Sequence, residues 1–366
     1  MENVPIGIMK VLYLTPWYPS AKDQMAGLFV QKHVESIQAQ GVDVRVIHSQ
    51  GWRDLWQQWK QLKRTWGLPD LVQLNVIQKQ GLLAIWLKMR YKIPFLIVEH
   101  WSGYLPESGQ FMQQSTAKRR LAYSIAKHAS CILTVSQTLE KAMKQCGVQA
   151  SHWGHINNIV DEFFYQGARN EEQRTRNKEQ RARSKEQGER TLLHVSCFDE
   201  RAKNTTALLQ GFSVLCQQRK DIHLVMVGTG VDWLAAQRVA NDLHNPSERI
   251  TWTGEQTPQQ VCDWMQKADA FVLTSRYETA GVVLSEAAAV GIPILSTPVG
   301  IAPQLITPQT GILISQEETN NPYTLSQALM RIVDMSTYPS AAEEYRFSTV
   351  GKQLTDIYDS CLHRNI

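Results

Sequence analysis

Two carboxylates eight positions apart, Glu278 and Glu286, bracket a stretch with little side-chain bulk, Ala280 and Gly281. An ionised glutamate only accepts hydrogen bonds, so Glu286 suits the paired hydroxyls of a ribose and Glu278 those of a second sugar. Between them the backbone amides of Gly281 and Val282 can approach a diphosphate closely. Taken singly, the two acids would read as a solvated loop residue and a helix residue favoured by the helix dipole; their spacing around Gly281 is what points to a ligand. A second candidate group is His100, just past an apolar run, Phe95 to Glu99, where an α/β sheet presents its ligand site. A lone histidine is usually structural, and the position past a strand end is what raises the functional reading here. Trp101 and Tyr104 after it suit either an apolar platform for an acceptor sugar or core packing.

Those groups need strands that end beneath them and helices that start beside them. Ala270 to Thr274 has the composition of a buried parallel strand, and Val282 to Val290 reads as a helix capped by Gly291 before the strand Pro293 to Ser296. The same alternation runs through the chain. Strands are expected at Lys10–Leu14, Val42–His48, Leu71–Asn75, Phe95–Glu99 and Cys131–Val135. Others are expected at Leu192–Ser196, His223–Val227, Ile250–Thr253 and Gly311–Ile314, with helices between them. Repeated strand and helix units imply parallel sheets. Gly27, at the end of the first such loop, either lets backbone approach a ligand or simply starts a helix. Gly228, Thr229, Gly230 is a weak dinucleotide fingerprint, since the third glycine is missing, and it reads better as the floor of a cleft near a diphosphate. Phe347 to Leu362 reads as an amphipathic helix.

At 366 residues the chain exceeds one ordinary core and fits two domains. No apolar run approaches the about eighteen residues that span a bilayer, and the first residues lack the pattern of a secretory signal, so a cytoplasmic protein is expected. Six cysteines without CxxC spacing read as reduced and structural, not as a zinc site. His152 and His155 read as polar loop residues, without further ligands to make a metal pair. The net charge of +4 does not by itself call for nucleic acid. Ala168 to Arg190 carries eight basic and five acidic residues, with Glu-Gln recurring every seven positions and no apolar seam. It reads as a solvated tract; a nucleic-acid arm is disfavoured by its balancing acids and absent aromatics. Gly51 to Gly67 sets Trp52, Trp56, Trp59 and Trp66 among arginines and lysines at helical spacing. Such a helix either lies on an anionic membrane or covers a sheet with its tryptophans.

The run Glu278, seven residues, Glu286, with Gly281 inside it and Gly291 and Pro293 after it, is similar to the signature of family 4 of the glycosyltransferases. These are retaining, nucleotide-sugar-dependent enzymes. The order Trp17-Tyr18-Pro19-Ser20, a short loop, then Gly27 resembles the family's opening, and Asn157 to Phe163 resembles its domain boundary. The resemblance implies an α/β chain of the GT-B fold, two Rossmann-like domains with parallel sheets facing across a cleft. Residues 1–165 would form an acceptor-side domain, 166–190 a charged hinge insert, 191–345 the nucleotide-sugar domain, and 346–366 a helix returning to the first. It gives Glu278 the donor sugar, Glu286 the ribose, His100 a place against donor sugar and acceptor, and Lys203 the donor's phosphates. Arg201 is the candidate for the family's phosphate arginine, with a surface ion pair as the alternative. Gly254 would lie beside the base, and the Gly27 loop would close over the diphosphate. Cys197 and Ser196 stand where arginine and glycine are usual, and Thr279 and Ala280 precede the inner glycine where the family has glycine or threonine and then phenylalanine.

The implied activity is retaining transfer of a sugar from a UDP- or GDP-sugar to a glycan or lipid-linked acceptor, in polysaccharide or glycoconjugate synthesis. His100, Glu278 and Lys203 would be catalytic. No DxD occurs in the sequence, so no metal and no cofactor are expected. Peripheral contact with the inner face of the cell membrane would run through Trp52–Trp66. Two rivals are a hydrolase or epimerase of nucleotide sugars and a catalytically silent scaffold of the same fold.

Overall fold

The computed structural model describes residues 8–21, 23, 26–49, 51–169, 188–244, 246–336, 338 and 342–363. Most of the charged tract read from the sequence, residues 170–187, lies outside them. The chain divides into two compact units, Met1–Ile159 with Glu344–Ile366, and Val160–Glu343. The first unit holds a sheet ordered β2-β1-β3-β4-β5-β6, all parallel: β1 Lys10–Thr15, β2 Asp43–His48, β3 Leu71–Asn75, β4 Phe95–Glu99, β5 Ile132–Thr134 and β6 Trp153–His155. The second holds β12-β11-β10-β7-β8-β9, again parallel: β7 Arg190–Val195, β8 Ile222–Val227, β9 Ile250–Gly254, β10 Ala270–Leu273, β11 Ile294–Ser296 and β12 Gly311–Leu313. Central strands such as β3, β4 and β10 are buried along their whole length, which is why they read as continuous apolar runs. Of His152 and His155, both expected as loop residues, His155 instead belongs to edge strand β6, while His152 lies just before it. Three residues are too few to show alternation, and the strand exists because β5 offers it a partner.

Strand order reverses between β1 and β3 in the first sheet and between β7 and β10 in the second. Ligands of open α/β sheets bind outside the carboxyl ends at such points. The first unit's core joins β1, β3 and β4 to helix α1, Leu28–Gln38, and to Val350, Leu354 and Tyr358 of the C-terminal helix Phe347–His363. Gly351 allows that contact, because a Cβ there would stand 2.7 Å from the Ser36 carbonyl oxygen of α1. Helix α2, Trp52–Trp66, buries Leu55 and Trp59 and leaves Trp52 exposed. Trp56 meets Trp86 of α3, Gly81–Tyr91, edge to face at 5.2 Å. The second unit has its own core, in which β7, β8 and β10 meet helices Thr205–Gln218 and Pro322–Val333. Among the described residues no helix is long and apolar enough to cross a membrane.

Candidate active site

At the second switch point, the segments after β7 and β10 are stitched together by polar contacts. Asp199 caps the short helix Glu200–Lys203 by accepting from the Arg201 amide at 3.1 Å. Thr274, directly after β10, donates to the carbonyls of Lys203 (3.2 Å) and Asn204 (3.1 Å), and the Arg276 amide donates to Ala202 O at 2.7 Å. The Arg276 guanidinium reaches Glu200 O and, at 2.5 Å, Asn204 Oδ1. These bonds fix two side chains against each other: Lys203 Nζ lies 2.5 Å from Glu278 Oε1, which also accepts from Ser275 Oγ at 2.8 Å. Both members of the pair are mostly buried, at 14% and 13% side-chain exposure. Burial works to lower the Lys203 pKa, but the charge of Glu278, with Cys197 and Asp199, outweighs it and leaves that pKa above the ordinary lysine value. The ammonium is therefore fully charged at neutral pH.

Beyond Glu278 the loop ends at Gly281, whose φ of 75° suits glycine and whose residue caps the helix Val282–Val290 without any side-chain bond to its first amides. Glu286, half-buried, lies one turn after Val282 on the same face, and its charge adds to the burial that pushes the neighbouring Cys262 thiol up to about 12. Gly228 (φ 116°) packs tightly against the β7 loop, since a Cβ there would fall 1.9 Å from Ser196 O. Its amide donates to Gly254 O at 2.8 Å, which joins the two glycine turns. Arg201 is exposed on the Lys203 helix. His194, in β7, was not picked out from sequence. It is fully buried, and burial lowers its pKa to about 4, with Lys203's charge acting the same way. Its Nδ1 lies 2.9 Å from Val272 O, a pure acceptor, so Nδ1 carries the proton and Nε2 accepts from Ser196 Oγ at 2.8 Å. Only a histidine inside an apolar strand could have signalled it.

In the first unit, the groups near the β1/β3 switch point also converge. Gly27 caps α1 at φ 70° and packs on Trp17, where a Cβ would stand 2.4 Å from the carbonyl. Phe29 brings α1 to His100, with ring centroids 4.3 Å apart, and His33 of α1 lies 6.1 Å from the same ring. Both histidines are buried and held neutral: burial takes His33 down to about 4 and His100 well below the usual histidine range. Glu99, fully buried under this cluster, accepts from the amides of Ile77 (3.0 Å), His100 (3.0 Å) and Trp101 (2.9 Å), and burial raises its pKa to about 7. Val76, after β3, sits at φ 67°, a conformation that β-branched residues rarely adopt and that concentrates at functional sites. Trp101 is half-buried, while Tyr104 is buried between Trp101 and Phe111. Neither His33 nor Glu99 was singled out from sequence, since burial alone distinguishes them from surface residues.

Residues 175–347 match the model described as glycosyl transferases group 1, and residues 33–156 match the glycosyl transferase 4-like domain. A GDP-mannose-dependent monoacylated alpha-(1-6)-phosphatidylinositol monomannoside mannosyltransferase of Corynebacterium glutamicum is 25% identical over 174 residues, 43% of this chain and 44% of that protein. The chain thus spans less than half the length of that relative. Among solved structures, sucrose-phosphate synthase from Thermosynechococcus elongatus superposes with a TM-score of 0.73 at 18% identity, over 96% of this chain and 98% of the other. Anabaena HepE in complex with UDP-glucose superposes with a TM-score of 0.66 at 17% identity, over 96% and 100%. Both likenesses concern the fold, which is that of two parallel six-stranded α/β units. With each half matched by its own model and the carboxylate pair seated at a sheet switch point, the chain belongs to the family 4 glycosyltransferases.

Proposed function

We propose that this chain transfers a sugar, with retention of anomeric configuration and without a metal, from a UDP- or GDP-sugar to a glycan or lipid-linked acceptor. The observation that carries this reading is the Lys203–Glu278 contact beside the open N-terminus of helix Val282–Val290. Cleaving the bond between sugar and diphosphate builds negative charge on phosphate and positive character on the sugar. Lys203, Arg201 and the amides of Gly281 and Val282 are assigned to the first, and the Glu278 carboxylate to the sugar hydroxyls. Glu286 is assigned to the ribose, and Gly254 and Gly228 to the walls against base and diphosphate. His100 of the first unit is assigned to the sugar being transferred, with Trp101 on the acceptor side. A nucleotide-sugar donor is supported by the GDP-mannose dependence of the Corynebacterium relative and by the UDP-glucose bound to HepE. A screen of nucleotide sugars for release of free nucleotide, with and without lipid-linked acceptors, tests it. Acceptor-dependent release supports transfer; release without acceptor points to a hydrolase or epimerase; no thermal shift with UDP, GDP or ADP points to a silent scaffold.

A lipid-linked acceptor, and work at the inner face of the cell membrane, draw support from one surface. Residues 52–92 carry eight basic and two acidic side chains, against +4 for the whole chain. On the same two helices, α2 and α3, Trp52 (43%) and Met89 (68%) are exposed. Aromatic and aliphatic groups among cations are what an anionic bilayer surface accommodates.

A further inference from the structure

The first unit brings together two cysteines 230 positions apart. Cys131, just before β5, and Cys361, near the end of the C-terminal helix, have their sulfurs 3.9 Å apart, and both are thiols. Cys131 is buried and Cys361 half-exposed, and both line a surface pocket of about 350 Å³ with His152, Trp153 and Gln353. We propose that this pair is an oxidisable dithiol, which a small disulfide of the glutathione class converts into an internal disulfide pinning the C-terminal helix to the first sheet.

The chemistry balances in two exchange steps. The more exposed Cys361 gives up its proton and attacks one sulfur of the small disulfide, forming a mixed disulfide and expelling a thiolate that takes a proton. Cys131 then attacks the Cys361 sulfur and expels the second small thiol. The protein loses two electrons and two protons, and the small disulfide gains both as two thiols. Closing the contact to the about 2.05 Å of a disulfide needs a rotamer change and a slight shift of the helix end. Cys361 lies in the last turn of that helix among the described residues, two positions before His363. One turn before it, Tyr358 donates to Gln73 Oε1 at 2.6 Å and meets Tyr13 Oη at 2.8 Å in the core. The bond would hold that network in register. It would also close a loop containing the whole second unit, and long loops constrain the unfolded chain most.

The test uses the full chain, oxidised with glutathione disulfide or kept in excess dithiothreitol, followed by non-reducing peptide mapping and thermal melting. The expected result is a peptide joining Cys131 to Cys361, lighter by two hydrogens, and a melting midpoint several degrees above that of the reduced protein. Cys361→Ser should remove both the cross-link and the rise. Mixed disulfides with no peptide joining the two positions would overturn the proposal, and a cross-link that leaves the melting midpoint unchanged would overturn its pinning role.

Discussion

At the scale of single residues, the Lys203–Glu278 pair concentrates the consequences. Lys203→Ala and Glu278→Ala each remove one charge from a mostly buried pair, and steady-state assays should show turnover falling about 10² to 10³-fold, the loss typical of a preorganised electrostatic contact. Lys203→Ala also takes the cation away from the mostly buried Glu278 and leaves it the Ser275 hydroxyl, so chemical denaturation should register a loss of about 3 kcal/mol. Near-normal turnover in a folded Glu278→Ala protein would remove that residue from the mechanism. The buried histidines make a pH prediction. His33 has its folded pKa depressed to about 4, so below about pH 6.5 the unfolded chain takes up a proton that the native one refuses, and stability falls as pH drops toward 4. At pH 5 this amounts to about 2 kcal/mol. Glu99, raised to about 7, acts with opposite sign, since its contribution is lost as pH rises from about 4.5 through 7. His33→Gln keeps a donor for Asn157 O and removes the titration, so its denaturation midpoint should change less between pH 7 and pH 5 than that of the wild type. Equal slopes would sink the assignment. Glu278, Glu286 and Gly281 were legible beforehand because their spacing is local. His33, His194 and Glu99 were not, because what sets them apart is burial by residues distant in sequence.

Helices and strands raise a different set of effects. The contact between α1 and the C-terminal helix depends on the missing side chain of Gly351, whose nearest obstacle would be backbone, at Ser36. Gly351→Ala should push the helices apart and cost about 1 to 3 kcal/mol by overpacking, read as a lower denaturation midpoint. An unchanged midpoint would mean the helices can part freely. On helix α2 the two alternatives draw on different faces: Leu55 and Trp59 are buried, while Trp52 is exposed beside Arg53. Vesicles rich in anionic lipid should sediment the wild type, and far less so Trp52→Ser with Met89→Ser, with binding falling as salt rises. Failure of the wild type to sediment retires the membrane contact without touching the donor site. Such faces are readable from periodicity, which placed α2 between Gly51 and Gly67. Edge strand β6 was not, because a three-residue strand owes its existence to its neighbour and carries no period of its own.

For the whole molecule, the decisive property is that each unit has its own sheet and its own hydrophobic core. Parallel strand and helix alternation could be read along the chain, since each unit repeats a local pattern. Strand order could not, because the reversals at β1/β3 and β7/β10 depend on crossovers that leave no local mark. The groups assigned to nucleotide, Lys203, Gly228, Gly254, Gly281 and Glu286, all belong to Val160–Glu343. A nucleoside diphosphate should therefore stabilise that unit selectively. At a hundredfold excess over its dissociation constant the gain is about 2.7 kcal/mol, and it falls on the structure that holds the ligand. Hydrogen exchange with and without UDP or GDP reads this by peptide. Slower exchange is expected in β7, β10 and helix Val282–Val290, with β1 to β3 little changed. Protection centred instead on the first unit would move the nucleotide away from Glu278 and Glu286, and with it the chemistry assigned to them.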